Sequence, residues 1–322
     1  MRLRKVFFVP MLCISITVYA QNTSIRTKVI TLGTRAGPTI SKDRAQASNL
    51  LVVGESLYLI DAGAGVTRRI LESGHQHSKI SKIFITHLHD DHTAGLATLL
   101  DTAILTRRGQ TTDIYGSGAT SLLNGVKDFL KPNLEIREAQ TGPSVKALEN
   151  LKAHEIDEGT VYEDDKVKVT AVQNTHFNFA KNSPLNQKYK SYSYRFQTPD
   201  RIVVFSGDTG PSEALTLLAS GADLLVTESH RPSDEMMAKY KESLKRDGVL
   251  TEREKSNMFH MVKEHISPEE VGIMAAKAKV KELVVTHIVL EVDDIVGQQR
   301  FIDDIRKNYK GPLTIAKDLS EF

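Results

Sequence analysis

A histidine- and aspartate-rich segment at 86–92, with the sequence Thr-His-Leu-His-Asp-Asp-His, directly follows an apolar run at 82–85. His87 and His89 are two residues apart, so in extended backbone their side chains lie on the same side. Asp91 and His92 follow where the chain is predicted to turn into a helix near Thr93. Imidazole and carboxylate groups at this spacing suit a zinc ion. We therefore predict a metal site at the carboxyl end of a strand in an α/β protein, with a solvated polar loop as the alternative.

The remaining pattern also favours an α/β fold, because short apolar runs alternate with helical periodicity and no repeat or linker divides the chain. Ser267, Pro268 and Glu270 predict the start of a helix with a capping box. Another helix is predicted at 66–73, ended by Gly74. Strands are predicted at 50–53, 57–60, 82–85, 167–172, 193–196, 201–205, 223–226 and 282–285.

Residues 1–20 predict a cleavable secretory signal peptide, cut after Ala20. Three basic residues precede an apolar run at 6–18, which is too short for a stable membrane anchor. A buried N-terminal strand is the alternative. We therefore expect a periplasmic or secreted protein, with a single domain at 21–322.

The chain has 322 residues and one cysteine, Cys13, which lies inside the predicted signal peptide. After cleavage no thiol remains, which excludes Cys-His catalysis and any metal site that needs a thiolate. The formal charge is only +2, which does not indicate a nucleic-acid-binding protein.

The pattern at His87, His89, Asp91 and His92 after a strand resembles the signature of the metallo-β-lactamase superfamily. Three further segments fit the family order, each after an apolar strand: Asn-Thr-His at 174–176, Ser-Gly-Asp-Thr at 206–209 and Thr-His at 286–287. The resemblance covers nearly all of 21–322 and implies a four-layer αβ/βα sandwich, with two facing sheets between outer helices.

The resemblance also implies two zinc ions, with iron or manganese as possible replacements. His87, His89 and His176 would hold one ion, and Asp91, His92 and His287 would hold the other. Asp208 would bridge the two ions. Such a pair activates a bound hydroxide for attack at neutral pH.

A second resemblance narrows the branch to ribonuclease Z and its relatives, through Thr-Glu-Ser at 227–229 and Glu-His-Ile-Ser at 264–267. It implies catalytic roles for Asp91, Glu228 and His265. Glu228 would orient His265, which would donate a proton to the departing alkoxide. A purely structural hydrogen bond is the alternative for His265.

This branch implies an exported metal-dependent hydrolase of a small sulfate ester or phosphodiester, similar to secreted arylsulfatases. Hydrolysis of a β-lactam or lactone ring is the alternative, and a non-catalytic metal-binding relative is a remote one. We expect a small-molecule substrate and no nucleic acid; the oligomeric state is left open.

The other histidines carry weaker patterns. His75 and His77 are predicted to lie in a surface loop, and His154, His230 and His260 have no partner pattern. Two helices predicted at 233–245 and 251–264 carry four methionines, which favour packing against the body over a substrate wall. Residues 231–264 are the candidate lid.

Overall fold

Two seven-stranded mixed sheets form the centre of the computed structural model, which describes residues 26–106, 109–180, 182–246 and 248–322. The predicted signal peptide at 1–20 lies outside the described residues. Within the described ranges, no helix has the length and apolar character needed to cross a membrane.

The first sheet is antiparallel at one side and parallel at the other. Its strands, in spatial order, are β14 (Ser320–Glu321), β1 (Thr27–Gly33), β2 (Ser48–Val53), β3 (Ser56–Ile60), β4 (Lys82–Phe84), β5 (Thr112–Gly116) and β6 (Leu151–Glu155).

The second sheet has the same division into antiparallel and parallel parts. Its strands, in spatial order, are β13 (Leu313–Ile315), β12 (Leu283–Thr286), β11 (Leu224–Glu228), β10 (Ile202–Phe205), β9 (Tyr192–Gln197), β8 (Lys168–Gln173) and β7 (Gly159–Glu163).

Helices connect and cover these strands. They are α1 (Val66–Glu72), α2 (Asp90–Thr93), α3 (Leu96–Thr106), α4 (Ala119–Ala139), α5 (Pro184–Lys188), α6 (Glu213–Leu218), α7 (Asp234–Ser243), α8 (Glu252–Lys263), α9 (Pro268–Lys277) and α10 (Ile295–Arg306).

Alternation along the buried strands explains the layers. In β2, Leu50 and Val52 pack among apolar residues of α1, α3 and α4, whereas Leu51 and Val53 face the other sheet. In the second sheet, Leu225 packs with α6, α9 and α10, while its neighbours Leu224 and Val226 face the first sheet. Because successive side chains point to opposite faces, each sheet buries both of its faces. The predicted four-layer αβ/βα sandwich is confirmed.

All eight predicted strands and the helix capped by Ser267 are present, with end positions that differ by one or two residues. The helix expected near Thr93 begins earlier, at Asp90, and stops at Thr93 before α3 starts. Two carboxylates, Asp90 and Asp91, lie in its first turn, where the helix dipole favours negative charge.

Several strands of the second sheet end at the same edge, so the segments that follow them lie close together. Strands β10, β11 and β12 run parallel to one another, and β8 has the same direction because β9 is antiparallel to both β8 and β10. The first sheet joins them at the end of β4, where the backbone N–H of Tyr192 donates to the carbonyl of Thr86 at 2.9 Å. The segments after β4, β8, β10 and β12 therefore converge.

Candidate metal centre

Three histidines form the first cluster, defined by His87, His89 and His176. The Nε2 atom of His87 is 3.0 Å from Nδ1 of His89, and Nε2 of His176 is 3.1 Å from the same Nδ1 atom. His87 and His176 are fully buried. Burial holds the pKa of His87 well below 6.5 and lowers the pKa of His176 to about 3. These neutral imidazoles have lone pairs available for a metal ion.

The second cluster contains two aspartates and two histidines, Asp91, His92, Asp208 and His287, all buried. The Nε2 atoms of His92 and His287 are 3.3 Å apart, and Nε2 of His287 is 3.0 Å from Oδ2 of Asp91. The backbone of His287 has a φ of 48°, a left-handed conformation that residues other than glycine seldom adopt. This conformation places the ring of His287 toward the cluster.

Asp208 lies between the two clusters. One carboxylate oxygen is 3.2 Å from Nε2 of His92, and the other is 3.3 Å from His287 and 3.9 Å from His87. Burial alone would raise the pKa of Asp208, but the imidazoles of His287 and His92 hold it well below 3.8. This carboxylate is therefore ionised in the position that the sequence resemblance implied for a bridging ligand.

The donor set fits a pair of cations. The Asp208 oxygen that lies 3.2 Å from Nε2 of His92 is buried and forms no hydrogen bond of acceptable geometry among the described residues, which is costly without a positive ion nearby. Nitrogen and carboxylate oxygen are ligands typical of zinc. The structure thus brings together all seven predicted metal ligands in two buried clusters that fit a binuclear site.

Asp61 supports this site and was not recognised in the sequence, where 61–63 is predicted only as a turn. Its carboxylate is 2.8 Å from Nδ1 of His92 and accepts a hydrogen bond from the backbone N–H of Thr86, also at 2.8 Å. A carboxylate on the second ring nitrogen of a ligand histidine fixes the orientation of the ring. The only sequence signal was the position of Asp61 directly after the buried strand β3.

Two backbone groups also position ligands. Because they are not side chains, no residue type in the sequence indicates their role. The N–H of Gly37 donates to Asp91 at 2.8 Å, and a Cβ at Gly37 would lie 2.2 Å from the Asp91 carboxyl carbon. Only glycine allows this close approach. The carbonyl of Glu264 lies 2.9 Å from Nδ1 of His176.

Glu228 and His265 form an acid–base pair beside the clusters. Nδ1 of His265 is 2.9 and 2.8 Å from the two carboxylate oxygens of Glu228, which is almost fully buried. Burial alone would lower the pKa of His265, but Glu228 outweighs it and raises the pKa to about 9. His265 therefore carries the proton at neutral pH.

The remaining histidines lie in four settings. His260 lines the 220 Å³ mouth of the site together with His89 and His265, and its ring centroid is 4.9 Å from that of His265. His230 is buried near His265, whereas His154 pairs with Asp113 at 2.8 Å, away from the clusters. His75 and His77 are half-buried between α1 and β4 and belong to neither cluster. No pattern in the sequence predicted that His260 lies at the mouth.

Comparisons with known proteins agree with this geometry. A family model for the β-lactamase superfamily domain matches residues 57–288. Ribonuclease Z of Bacillus velezensis is 31% identical and covers 81% of this chain and 87% of its own length. Ribonuclease Z of Bacillus subtilis is 29% identical, covering 81% and 88%.

Solved structures show the same fold. The metallo-β-lactamase fold protein YhfI from Bacillus subtilis matches with a TM-score of 0.64 at 20% identity, covering 92% of this chain and 98% of its own. The short form of human tRNase Z matches with a TM-score of 0.60 at 23% identity, with the same coverage.

Fold and site together define a metal-dependent hydrolase that acts on ester bonds. The chain belongs to the metallo-β-lactamase superfamily, in its ribonuclease Z-like branch. Both resemblances seen in the sequence are thereby confirmed. The relatives named ribonuclease Z leave the expected exclusion of nucleic acid without support.

Proposed function

We propose that this protein hydrolyses a small phosphodiester or sulfate ester with two zinc ions. The observation that carries the proposal is the His265–Glu228 pair, with its two short contacts, next to the seven candidate ligands, of which all but the half-buried His89 are buried. An ester that loses an oxygen leaving group needs a proton at that oxygen, and His265 is a protonated group at the site mouth.

His87, His89 and His176 would hold one ion, Asp91, His92 and His287 would hold the other, and Asp208 would contribute to both. Two bound zinc ions would supply the activated water and polarise the ester oxygen. Zinc is favoured by the donor types, and iron or manganese can occupy such a site when they are available.

The chain's own residues perform the remaining work. Glu228 fixes the ring of His265 through Nδ1, so that the other ring nitrogen is free to face the substrate. The backbone N–H of Thr209 donates to Glu228 at 2.6 Å, which holds the carboxylate in place. His265 then donates its proton to the leaving oxygen as the P–O or S–O bond breaks, and Glu228 stabilises the imidazolium until that transfer.

Two other substrate classes remain as candidates. RNA is favoured by the 31% identity to ribonuclease Z, although a formal charge of +2 over the chain gives little attraction for a polyanion. A β-lactam or lactone is compatible with the same activated water, but ring opening leaves the departing group tethered and reduces the need for a proton donor.

The decisive experiment uses the zinc-loaded protein with 4-nitrophenyl sulfate, bis(4-nitrophenyl) phosphate, a 3′-extended RNA, a lactone and a chromogenic β-lactam. We expect turnover of one of the first two. With the corresponding phenyl ester, whose leaving oxygen is more basic and needs the proton, kcat should fall about 10²–10⁴-fold in the variant His265→Ala. Zinc content should be unchanged in that variant.

The matched control is His154→Ala, because His154 also pairs with a carboxylate but lies away from the clusters. It should keep full activity. Turnover of RNA alone would move the function to the second candidate, and ring hydrolysis that is indifferent to His265→Ala would favour acyl chemistry.

We also propose that the protein is exported, on the strength of the basic and apolar segments at 1–20. Expression of the full chain followed by N-terminal sequencing of the mature product should give Gln21 as the first residue. Retention of Met1 in the cytoplasm would contradict this proposal.

A further inference from the structure

A second cavity adjoins the site mouth. Its volume is about 510 Å³, within the range of small-ligand pockets, and it is lined by residues of α7, α8, α9 and α10 with the segments between them. We call it the α7–α10 cavity. His265 lines both this cavity and the 220 Å³ mouth beside the metal ligands. A molecule that reacts at the mouth and extends past His265 therefore enters the α7–α10 cavity.

One part of the cavity wall is apolar. Met237 on α7 and Met261 and Val262 on α8 are half-buried there, with Pro232 and Pro268 beside them. Methionine side chains adapt to flat and irregular apolar groups. This wall suits a ring or a comparable apolar body.

Two of the cations in the cavity wall have no ion-pair partner among the described residues. Arg231 pairs with Asp234 and Asp304, and Lys307 pairs with Asp304 and Glu269. The carboxylate of Glu270 accepts hydrogen bonds from Ser267 in the capping box of α9. Lys241 and Lys263 also line the cavity, and neither forms an ion pair with an acidic residue in the described parts of the chain. Lys241 and Lys263 are therefore the two cations of the wall that remain available to an anion, while Glu270 is a carboxylate that Ser267, and no cation of the described residues, contacts.

His230 adds a polar group at the inner end. Its side chain is 8% exposed, it lines the cavity, and its ring centroid is 5.7 Å from that of His265. Nε2 of His230 is buried and has no hydrogen-bond partner among the described residues. A buried ring nitrogen without a partner is destabilising in the free protein, and a ligand near His265 can relieve that cost.

We infer that the α7–α10 cavity is the subsite for the leaving group, and that this group is an apolar ring that carries an anionic substituent. The inference rests on the proposed function, because the leaving oxygen must lie at His265, where the two cavities meet. The apolar wall receives the ring, and Lys241 and Lys263 attract the anion.

The kinetic test varies the leaving group and the two lysines. Phosphodiesters with a 4-carboxyphenyl or a 4-nitrophenyl leaving group are compared in the wild type and in the double variant K241E/K263E. The double variant should raise KM for the carboxyphenyl ester about tenfold and leave KM for the nitrophenyl ester within about twofold. Both lysines are exposed, so the fold should persist.

Lys239→Glu is the matched control. Lys239 is on the same helix α7, is exposed and pairs with Glu235, but it lines a different cavity, between α7 and α8. This variant changes the charge of α7 and should leave KM for both esters unchanged. An equal effect of K239E and K241E/K263E would overturn the inference.

A binding experiment separates this inference from the proposed function. Calorimetry of the zinc-loaded protein with 4-hydroxybenzoate should give saturable binding that weakens about tenfold in K241E/K263E, whether or not any ester is turned over. Phenol, which lacks the anion, should bind the wild type and K241E/K263E with similar affinity. Absence of ester turnover with intact 4-hydroxybenzoate binding would refute the function and keep the subsite. Turnover without such binding would refute the subsite.

Discussion

Three ligand side chains in this centre are each held by a second group. Asp61 contacts His92, the carbonyl of Glu264 contacts His176, and the N–H of Gly37 contacts Asp91. These contacts orient the rings and carboxylates before any ion arrives, which lowers the cost of binding. The geometry of the site is therefore a property of more residues than its direct ligands.

Asp61→Asn tests this dependence at the residue scale. The amide cannot provide the charged contact at Nδ1 of His92, so zinc affinity at the second cluster should fall by about 10–100-fold. Zinc titration of the metal-free protein measures the effect, and circular dichroism monitors the fold.

The control variant is Asp113→Asn. Asp113 also contacts a histidine at 2.8 Å, His154, but the pair lies at the edge formed by β5 and β6. Its zinc affinity should equal that of the wild type. Equal affinities in both variants would show that Asp61 has no role in metal binding.

At the scale of elements, the buried strands end in short segments that contain the candidate ligands. Turns at the periphery hold the strands in register. The turn between β7 and β8 is organised by Asp164. Its carboxylate accepts hydrogen bonds from the hydroxyls of Tyr58 and Tyr162 at 2.7 and 2.8 Å, and from the N–H groups of Lys166 and Val167. This turn thereby joins β7–β8 of one sheet to Tyr58 in β3 of the other.

The lowered pKa of Asp164 predicts that the stability of the protein depends on pH. Burial raises its pKa, but the hydrogen bonds from Tyr58 and Tyr162 outweigh burial and lower the pKa below 3.8. The stabilisation is therefore fully present above pH 3.8 and is lost as the pH falls through the lower, folded-state pKa. Urea unfolding of Asp164→Asn should show a smaller loss of stability between pH 5 and about pH 3 than the wild type.

The neighbouring carboxylate provides the control for Asp164. Asp165 is exposed, and its carboxylate pairs with the side chain of Lys166 at 3.0 Å. Asp165→Asn removes the same charge and should keep the wild-type slope. A slope for Asp164→Asn that matches the wild type would contradict the assigned role.

At the scale of the whole molecule, the apolar layer between the sheets connects the site to global stability. Phe84, the last residue of β4, lies in this layer with ring centroids 5.0 Å from Tyr115 and 5.1 Å from Phe196. The segment 86–92 begins two residues later. The same strand therefore anchors the core and delivers the first metal ligands.

Phe84→Ala should lower the free energy of unfolding by about 3–5 kcal/mol, because the cavity it leaves lies between two sheets that cannot collapse freely. Chemical denaturation measures this loss. Phe129→Ala is the comparison, since Phe129 is 72% exposed on α4, and its effect should stay within about 0.5 kcal/mol. Similar losses in both variants would contradict the assignment of the core.

The sequence by itself predicted eight of the strands, the capped helix α9 and the clustered histidines and aspartates at 87–92, because each depends on local spacing. His87 and His89 share a side through the two-residue period of extended chain, and Ser267 caps through contacts within one turn. The resemblance to a known family then supplied the order in which distant segments join. These features could be predicted without knowing which residues pack against them.

Only the tertiary structure decided which groups support the ligands and what surrounds the substrate. Asp61 and Gly37 reach the site from 31 and 54 positions away along the chain, and His260 reaches the mouth because α8 packs over it. No periodic pattern encodes such contacts, since they depend on how two sheets and their helices pack. The same is true of the α7–α10 cavity, whose walls are distant in sequence and meet only in the folded chain.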